Sequence, residues 1–234
     1  MFVVIEGIDG SGKGTLTKRL TARLKQEYKV ELLSFPRYSD TLYGKVVGRY
    51  LNGDFGSTAE HPLMHGTLFA LDRIESKPEL ERLLRENDFV FCDRYVPSNL
   101  CYSAMKAKKE ERNDVVRHFV ELEYEVFKLP KPDVILFLNI PVKLAIENIA
   151  KKEKRVYTDQ SADLFEADEK YLKEVKSFYE NDLEREHPAT HFKTIECERN
   201  GSLLPIEEIE ETAFSMLTQM QEMRLKEWLE RKDP

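Results

Sequence analysis

An α/β fold with a five-stranded, mostly parallel sheet flanked by helices is what the sequence predicts, and three observations carry that expectation. Short apolar or β-branched runs alternate with longer segments of helical period, the pattern of strands covered by helices. Each run is bounded by polar or turn residues. The 234 residues, 41% hydrophobic and 34% charged, are long enough and apolar enough to bury one compact core, so a single domain over 1–234 is expected.

Taken in order, the first strand is expected at Phe2–Glu6, followed at once by a glycine-rich turn. Lys13 to Tyr28 spaces Leu16, Leu20 and Leu24 four apart, which puts them on one helix face. The second strand is expected at Val30–Ser34. Leu63 to Asn87 has helical character but contains Pro78, whose missing amide donor is expected to break or kink the helix there. Strands follow at Phe89–Cys92, Asp133–Leu138 and Phe192–Glu196. Between the last two, Lys151 to Ala162 is polar without an apolar pattern and is a lid candidate, about 150–163 in all. The tail from 206 to 232 places Ile206, Ile209, Phe214, Leu217, Met220, Leu225 and Trp228 among charges at mostly helical intervals. A helix covering the sheet is the simpler reading; a partner-binding helix is the alternative.

The formal net charge of -7 argues against broad attraction to nucleic acid or to an anionic membrane. Cys92, Cys101 and Cys197 are an odd number at no metal-like spacing, so neither a disulfide framework nor a zinc site is expected, and a reducing cytoplasm fits. The apolar run at the N-terminus ends at Glu6 and lacks a basic start, so it reads as a buried strand and not as a signal peptide. No stretch reaches the roughly 18 residues of unbroken apolarity that a membrane span needs.

The turn itself reads Gly7-Ile8-Asp9-Gly10-Ser11-Gly12-Lys13-Gly14-Thr15 between a strand and a helix. Strand, glycine loop, lysine and helix in that order form a phosphate-binding P-loop: glycines let backbone amides wrap an anion, the helix start adds positive potential, and Lys13 reaches the outer phosphates. A P-loop NTPase fold is therefore expected. The strict pattern has Ser or Thr after the lysine, where this chain has Gly14. Thr15 still offers a hydroxyl, but a metal must lean on water and on carboxylates such as Asp9 and Asp93. Phosphate binding alone leaves kinase, ATPase, motor and binding module open.

Cys92-Asp93-Arg94-Tyr95 ends the third strand, so Asp93 and Arg94 are expected at the carboxyl edge of the sheet beside the loop. With Phe35-Pro36-Arg37-Tyr38, Thr67-Leu68-Phe69-Ala70-Leu71-Asp72-Arg73, Ser98-Asn99, Tyr102 and Leu129-Pro130-Lys131-Pro132-Asp133, the chain resembles the thymidylate kinase family over residues 2 to about 180. The resemblance implies transfer of a phosphoryl group from ATP to dTMP, giving dTDP, with Mg2+. It assigns Gly7, Asp9, Gly10, Ser11, Gly12, Lys13, Gly14 and Thr15 to ATP. It assigns Asp9, Phe35, Pro36, Tyr38, Phe69, Arg73, Arg94, Ser98, Asn99 and Tyr102 to the acceptor. Within that set Phe69 stacks on thymine, Arg73 donates to its O4, Asn99 bonds its N3 side, and Tyr102 lies against the 2′ carbon of the sugar. Tyr38 and Arg94 hold the acceptor phosphate, and Asp9 lies near the 3′-hydroxyl. Lys13, Arg94, Asp93 and Arg155 are implied as catalytic, with Asp9, Asp93 and Glu166 toward the metal.

In this family the catalytic charge comes either from the loop or from a mobile lid. Gly10 and Ser11 are uncharged while Lys151, Lys152, Lys154 and Arg155 cluster in the lid, so the chain resembles the lid-basic, bacterial type. Asp163 and Glu166 follow as candidates for water-mediated metal or sugar contacts. The family is usually a homodimer, which nominates the segments Glu60 to Asn87 and Asn113 to Leu129 as interface. Another P-loop kinase with the same Gly12-Lys13-Gly14-Thr15 form, or a noncatalytic nucleotide-binding module, are the alternatives.

Overall fold

β1 (Phe2–Glu6) is buried at every position and lies at the centre of a five-stranded sheet in a computed structural model that describes residues 1–56, 61–151, 169–187 and 191–230. A strand covered on both faces has no solvent side, which is why its sequence runs apolar without alternation. β3 (Phe89–Asp93) and β4 (Val134–Asn139) flank it, and β2 (Val30–Ser34) and β5 (His191–Glu196) form the edges, in the order β2-β3-β1-β4-β5. Every pairing is parallel, with Val3 opposite both Phe91 and Val134. The edge strands are only partly buried, as expected where one side of the ladder is open. All five predicted strands are present, β1 and β2 with the predicted bounds and the others shifted by one residue. Because the strands are parallel, their carboxyl ends share one rim, and β1 enters the glycine loop there.

α1 (Lys13–Leu24) buries Leu16, Leu20 and Leu24, the face its spacing called for. It stops short of Tyr28, whose ring leaves the helix to pack edge-on against Phe89 at 5.2 Å. α2 (Leu42–Leu51) has no counterpart among the predicted elements; the Thr41 side chain caps it by accepting from the Gly44 amide at 2.8 Å. α3 (Pro62–Glu86) corrects the expectation at Pro78, because the helix runs through that residue unbroken. Ala70, Asp72 and Arg73 are buried before the proline and Leu80 and Leu83 after it. Each buried Leu is worth about 1.5–3 kcal/mol, enough to offset the loss of about 3 kcal/mol at an interior proline.

α4 (Val96–Lys106) follows β3, and α5 (Arg112–Val120) widens into a π-helical turn at Glu121–Val126. α6 (Val142–Ala150), α7 (Glu169–Asn181) and α8 (Leu183–Glu186) complete the middle of the chain. A short hairpin, β6 (Glu198–Arg199) with β7 (Ser202–Leu203), turns on Asn200 and Gly201, both with positive φ. α9 (Ile206–Glu230) packs on β5 and α1 and buries Ile209, Ala213 and Leu217, which supports the covering role of the tail. Arg19 pairs with Glu210 at 2.5 Å, and the Arg23 guanidinium lies 3.6 Å over the Phe214 ring. No helix among the described residues is long and apolar enough to cross a membrane. The expected lid beyond Lys151, with Lys152, Lys154, Arg155, Asp163 and Glu166, lies outside the described residues.

Two histidines are buried as neutral rings. His187 contacts the Tyr124 hydroxyl at 2.5 Å, and burial, reinforced by Lys131, lowers its pKa to about 3. His65 is likewise held well below 6.5 by burial, with Lys106 and Arg73 adding to the shift. Both bind a proton more readily when unfolded, so the stability that the neutral rings contribute is present above about pH 6.5 and is lost as the pH falls below it, down toward about 3 for His187. Urea unfolding is expected to give a clearly lower stability at about pH 5 than at pH 7, with a smaller difference in His187→Gln, which keeps a partner for Tyr124. An equal slope in that variant would contradict the burial argument.

Candidate active site

At the carboxyl rim, β1 ends and the chain wraps back on itself before α1 begins. Gly10 and Gly12 have φ of 80° and 90°, in the left-handed region that side chains rarely adopt. A Cβ on Gly10 would also lie 2.1 Å from the carbonyl oxygen of Ala145, so α6 packs directly on the loop, and Asn148 Nδ2 donates to Gly10 O at 3.0 Å. The first helical bond of α1 runs from Leu16 N to Gly12 O. The amides of Lys13, Gly14 and Thr15 therefore have no acceptor within the helix and suit an anion.

Lys13 folds back over the loop, donating to Gly7 O and Ile8 O at 2.9 Å each. Burial lowers its pKa to about 8, with the nearby Arg94 guanidinium adding to the effect. Gly7 and Ser11 shape the loop from behind: Gly7 supplies one of those carbonyls, and Ser11 N donates to Ile8 O at 3.1 Å. The other loop residues assigned to ATP, Asp9, Gly10, Gly12, Lys13, Gly14 and Thr15, line a cavity of about 530 Å³.

The second group comes from the turn between β3 and α4. Arg94 has φ of 67°, a strained conformation for a residue with a side chain. Hydrogen bonds hold it on either side. Arg94 N donates to Ile5 O at 3.1 Å, and Tyr95 N donates to Glu6 Oε1 at 3.0 Å. The guanidinium donates to Ser98 Oγ at 3.0 Å and pairs with Asp9. Tyr102 donates its hydroxyl to the other oxygen of Asp9 at 2.7 Å, so this residue orients a carboxylate besides presenting a ring. Asp93 lies on the cavity wall, with Oδ2 3.0 Å from the point a Cβ on Gly14 would occupy. Glycine at 14 thus lets the carboxylate lie directly against the loop.

A third group comes from the loop after β2, from α3 and from α4. Phe35, Pro36 and Tyr38 line the cavity, and the loop that carries them is tied to α3 by the Arg37 amide, which donates to Asp72 at 2.9 Å. Phe69 packs against His65 at 4.7 Å and Tyr50 at 6.3 Å between ring centroids. Arg73 is no surface ion pair: it is 2% exposed and meets Glu123, fully buried in the π-helical turn, through both Nε and Nη2. Asn99 Nδ2 donates to Glu123 Oε1 at 2.7 Å and to Gly66 O at 3.0 Å, and its oxygen accepts from Ser103.

The structure thus brings together Asp9, Lys13, Phe35, Pro36, Tyr38, Phe69, Arg73, Asp93, Arg94, Ser98, Asn99 and Tyr102 around one cavity. Arg155 and Glu166 lie outside the described residues. Lys18, Leu51, His65 and Tyr95 also line the cavity and were missed, as were the supports Glu6, Glu123 and Tyr179 behind it. His65 carried a signal, standing one helical turn before Phe69. So did Glu6, the one charge in an otherwise apolar strand. Among the described residues no group of three or more His, Cys, Asp or Glu forms a metal cage. The Asp93 carboxylate, on the cavity wall against the loop, fits an ion such as Mg2+, which keeps several waters and takes one or two carboxylates, whereas both Asp9 oxygens are engaged by Arg94 and Tyr102.

A family model described as thymidylate kinase matches residues 5–194. A thymidylate kinase of Mycobacterium tuberculosis is 33% identical over 156 residues, covering 66% of this chain and 73% of that protein. A probable thymidylate kinase of Thermococcus onnurineus is also 33% identical, over 77% of this chain and 86% of its own length. The solved structure of thymidylate kinase from Candida albicans superposes with a TM-score of 0.69 over 94% of this chain and 92% of that one, at 23% identity, a likeness of fold.

Polyphosphate oxygens around Lys13 favour its charged form, so nucleotide binding is expected to take up a proton where the free side chain has begun to lose it. Calorimetry of ATP binding in buffers of different ionisation enthalpy should give uptake of up to about 0.7 proton at about pH 8.5, falling below about 0.2 near pH 7. Equal values at the two pH conditions would contradict the assignment.

Proposed function

The chain belongs to the thymidylate kinase family and phosphorylates dTMP to dTDP with ATP as donor, and on that premise we propose that its cavity holds the two nucleotides end to end across Lys13 and Arg94. The observation that supports this reading is that Lys13 of the phosphate loop and Arg94 line the same cavity as Phe69, Arg73 and Asn99. The attacking phosphate oxygen of dTMP is already ionised near neutral pH, so no general base is required. Transfer is in line, without a covalent enzyme intermediate, and catalysis comes from alignment and charge neutralisation.

In this reading the loop amides and Lys13 hold the β and γ phosphates of ATP, and Tyr38 and Arg94 hold the acceptor phosphate. Mg2+, when bound, neutralises charge on the donor phosphates, and Asp93, with Asp9 through water, would hold it. Arg155 and Glu166 remain the lid's proposed contributions. Phe69 stacks on thymine, kept in place by His65 and Tyr50. The Nη1 edge of Arg73, the part Glu123 does not engage, serves O4. Tyr102 packs against the 2′ carbon, where a ribose hydroxyl would collide with the ring.

The whole chain acts as one catalytic domain, located in the cytoplasm and paired as a homodimer. Exposed Leu63 and Met64 on α3 and Val126 after α5 supply apolar surface on the two segments nominated for that interface. Lys13→Ala is expected to lower dTMP-dependent ADP release by at least about a hundredfold with the circular dichroism spectrum unchanged. Near-normal turnover would overturn the role given to Lys13.

A further inference from the structure

We propose that Glu123 sets the hydrogen-bond polarity of the base subsite, by locking the Asn99 carboxamide with its oxygen toward the cavity, and thereby selects bases with an N–H at position 3 over cytosine. The inference rests on the placement of the base against Arg73 and Asn99 given above, and adds the residue that decides which way Asn99 points.

An asparagine side chain has one face that donates and one that accepts, and a pocket reads a base through it only if the amide cannot turn over. Here two acceptors converge on one side of Asn99. Gly66 O is 3.0 Å from Nδ2, and Glu123 Oε1 is 2.7 Å away. A backbone carbonyl has no hydrogen to give, and neither has a carboxylate engaged by both Nε and Nη2 of Arg73. A turned amide would set oxygen against oxygen at both contacts, in a place shielded from water: Asn99 is 2% exposed and Glu123 is fully buried.

With both amide hydrogens engaged, Oδ1 accepts from Ser103 Oγ at 3.0 Å and keeps a second lone pair, and Asn99 lines the cavity. An oxygen there welcomes the N3–H of thymine or uracil and repels the bare N3 of cytosine. Glu123 also aims the other reader, since it fixes the Arg73 fork in the same bidentate contact. One carboxylate thus coordinates donor and acceptor for the two adjacent edges of the base. Its position follows from the π-helical turn Glu121–Val126, which carries Glu123 into the protein beside α3 and α4.

Glu123→Gln leaves a single acceptor oxygen for three donors, so Arg73 or Asn99 loses its anchor. As a positioning residue, Glu123 is expected to act on binding and selectivity more than on chemistry. Steady-state assays should show KM for dTMP raised about tenfold, kcat within about threefold of the parent, and the preference in kcat/KM for dTMP over dCMP reduced at least about tenfold. Ser103→Ala removes a donor without changing the lock and should retain the preference. If Glu123→Gln unfolds at the assay temperature, Glu123→Asp, which shortens the reach while keeping a charge opposite Arg73, must show the same loss of preference. An unchanged dTMP to dCMP ratio in the folded variant would overturn the proposal. Asn99→Ala separates it from the reading beneath it: an unaltered KM for dTMP there would mean that the base is not read at Asn99, whereas a raised KM beside an intact ratio in the Glu123 variants would sink only the role of Glu123.

Discussion

The Glu6 carboxylate, fully buried at the end of the central strand, receives Tyr95 N and Ser98 N on one oxygen and the hydroxyls of Ser98 and Tyr179 on the other. A carboxylate in an apolar sheet would be costly unless fully hydrogen-bonded, and here every donor comes from an element that shapes the site. The two amides pin the start of α4 to β1. Ser98 Oγ contacts Glu6 on one side and Arg94 on the other, and Tyr179 brings in α7. The strained backbone at Arg94 is held by this arrangement, so a guanidinium that lines the cavity depends on a carboxylate that does not line it.

The same logic recurs at the other end of the cavity. Glu123 is to Arg73 and Asn99 what Glu6 is to Arg94 and Ser98: a buried anion behind the side chains that face the ligand. Removing a charged partner from such a group leaves the other unpaired in a low-dielectric setting, so substitution at these positions is expected to be costly. Asp9 is shared by Arg94 and Tyr102, linking side chains from the loop, the β3–α4 turn and α4.

Much of this was legible in the sequence where the signal is local. The five strands follow from apolar runs, the phosphate loop from glycines between a strand and a helix, and Asp93 and Arg94 from their place at a strand end. The acceptor residues, from Phe35 to Tyr102, were named through a resemblance and not through periodicity. What stayed hidden is set by contacts distant in the chain. Arg73 and Glu123 are 50 residues apart, and nothing in an acidic helical stretch marks Glu123 as buried. α2 is capped by Thr41 and also by Glu75 of α3, whose carboxylate accepts from Leu42 N and Tyr43 N more than 30 residues away in the chain. Pro78 misled because a propensity rule gave way to packing on both sides of it. The proposed lid charges fall among residues beyond those described.

The most direct test of the account is the acceptor profile of the wild-type chain, because the roles proposed for Phe69, Arg73 and Asn99 are what separate this reading from other phosphate-loop kinases. ADP release measured in a coupled assay with dTMP, dUMP, AMP, UMP or thymidine as acceptor should be fastest with dTMP, slower with dUMP and near background with the other three. Equal release with AMP or thymidine, or ATP binding with no dTMP-dependent release of ADP, would contradict it.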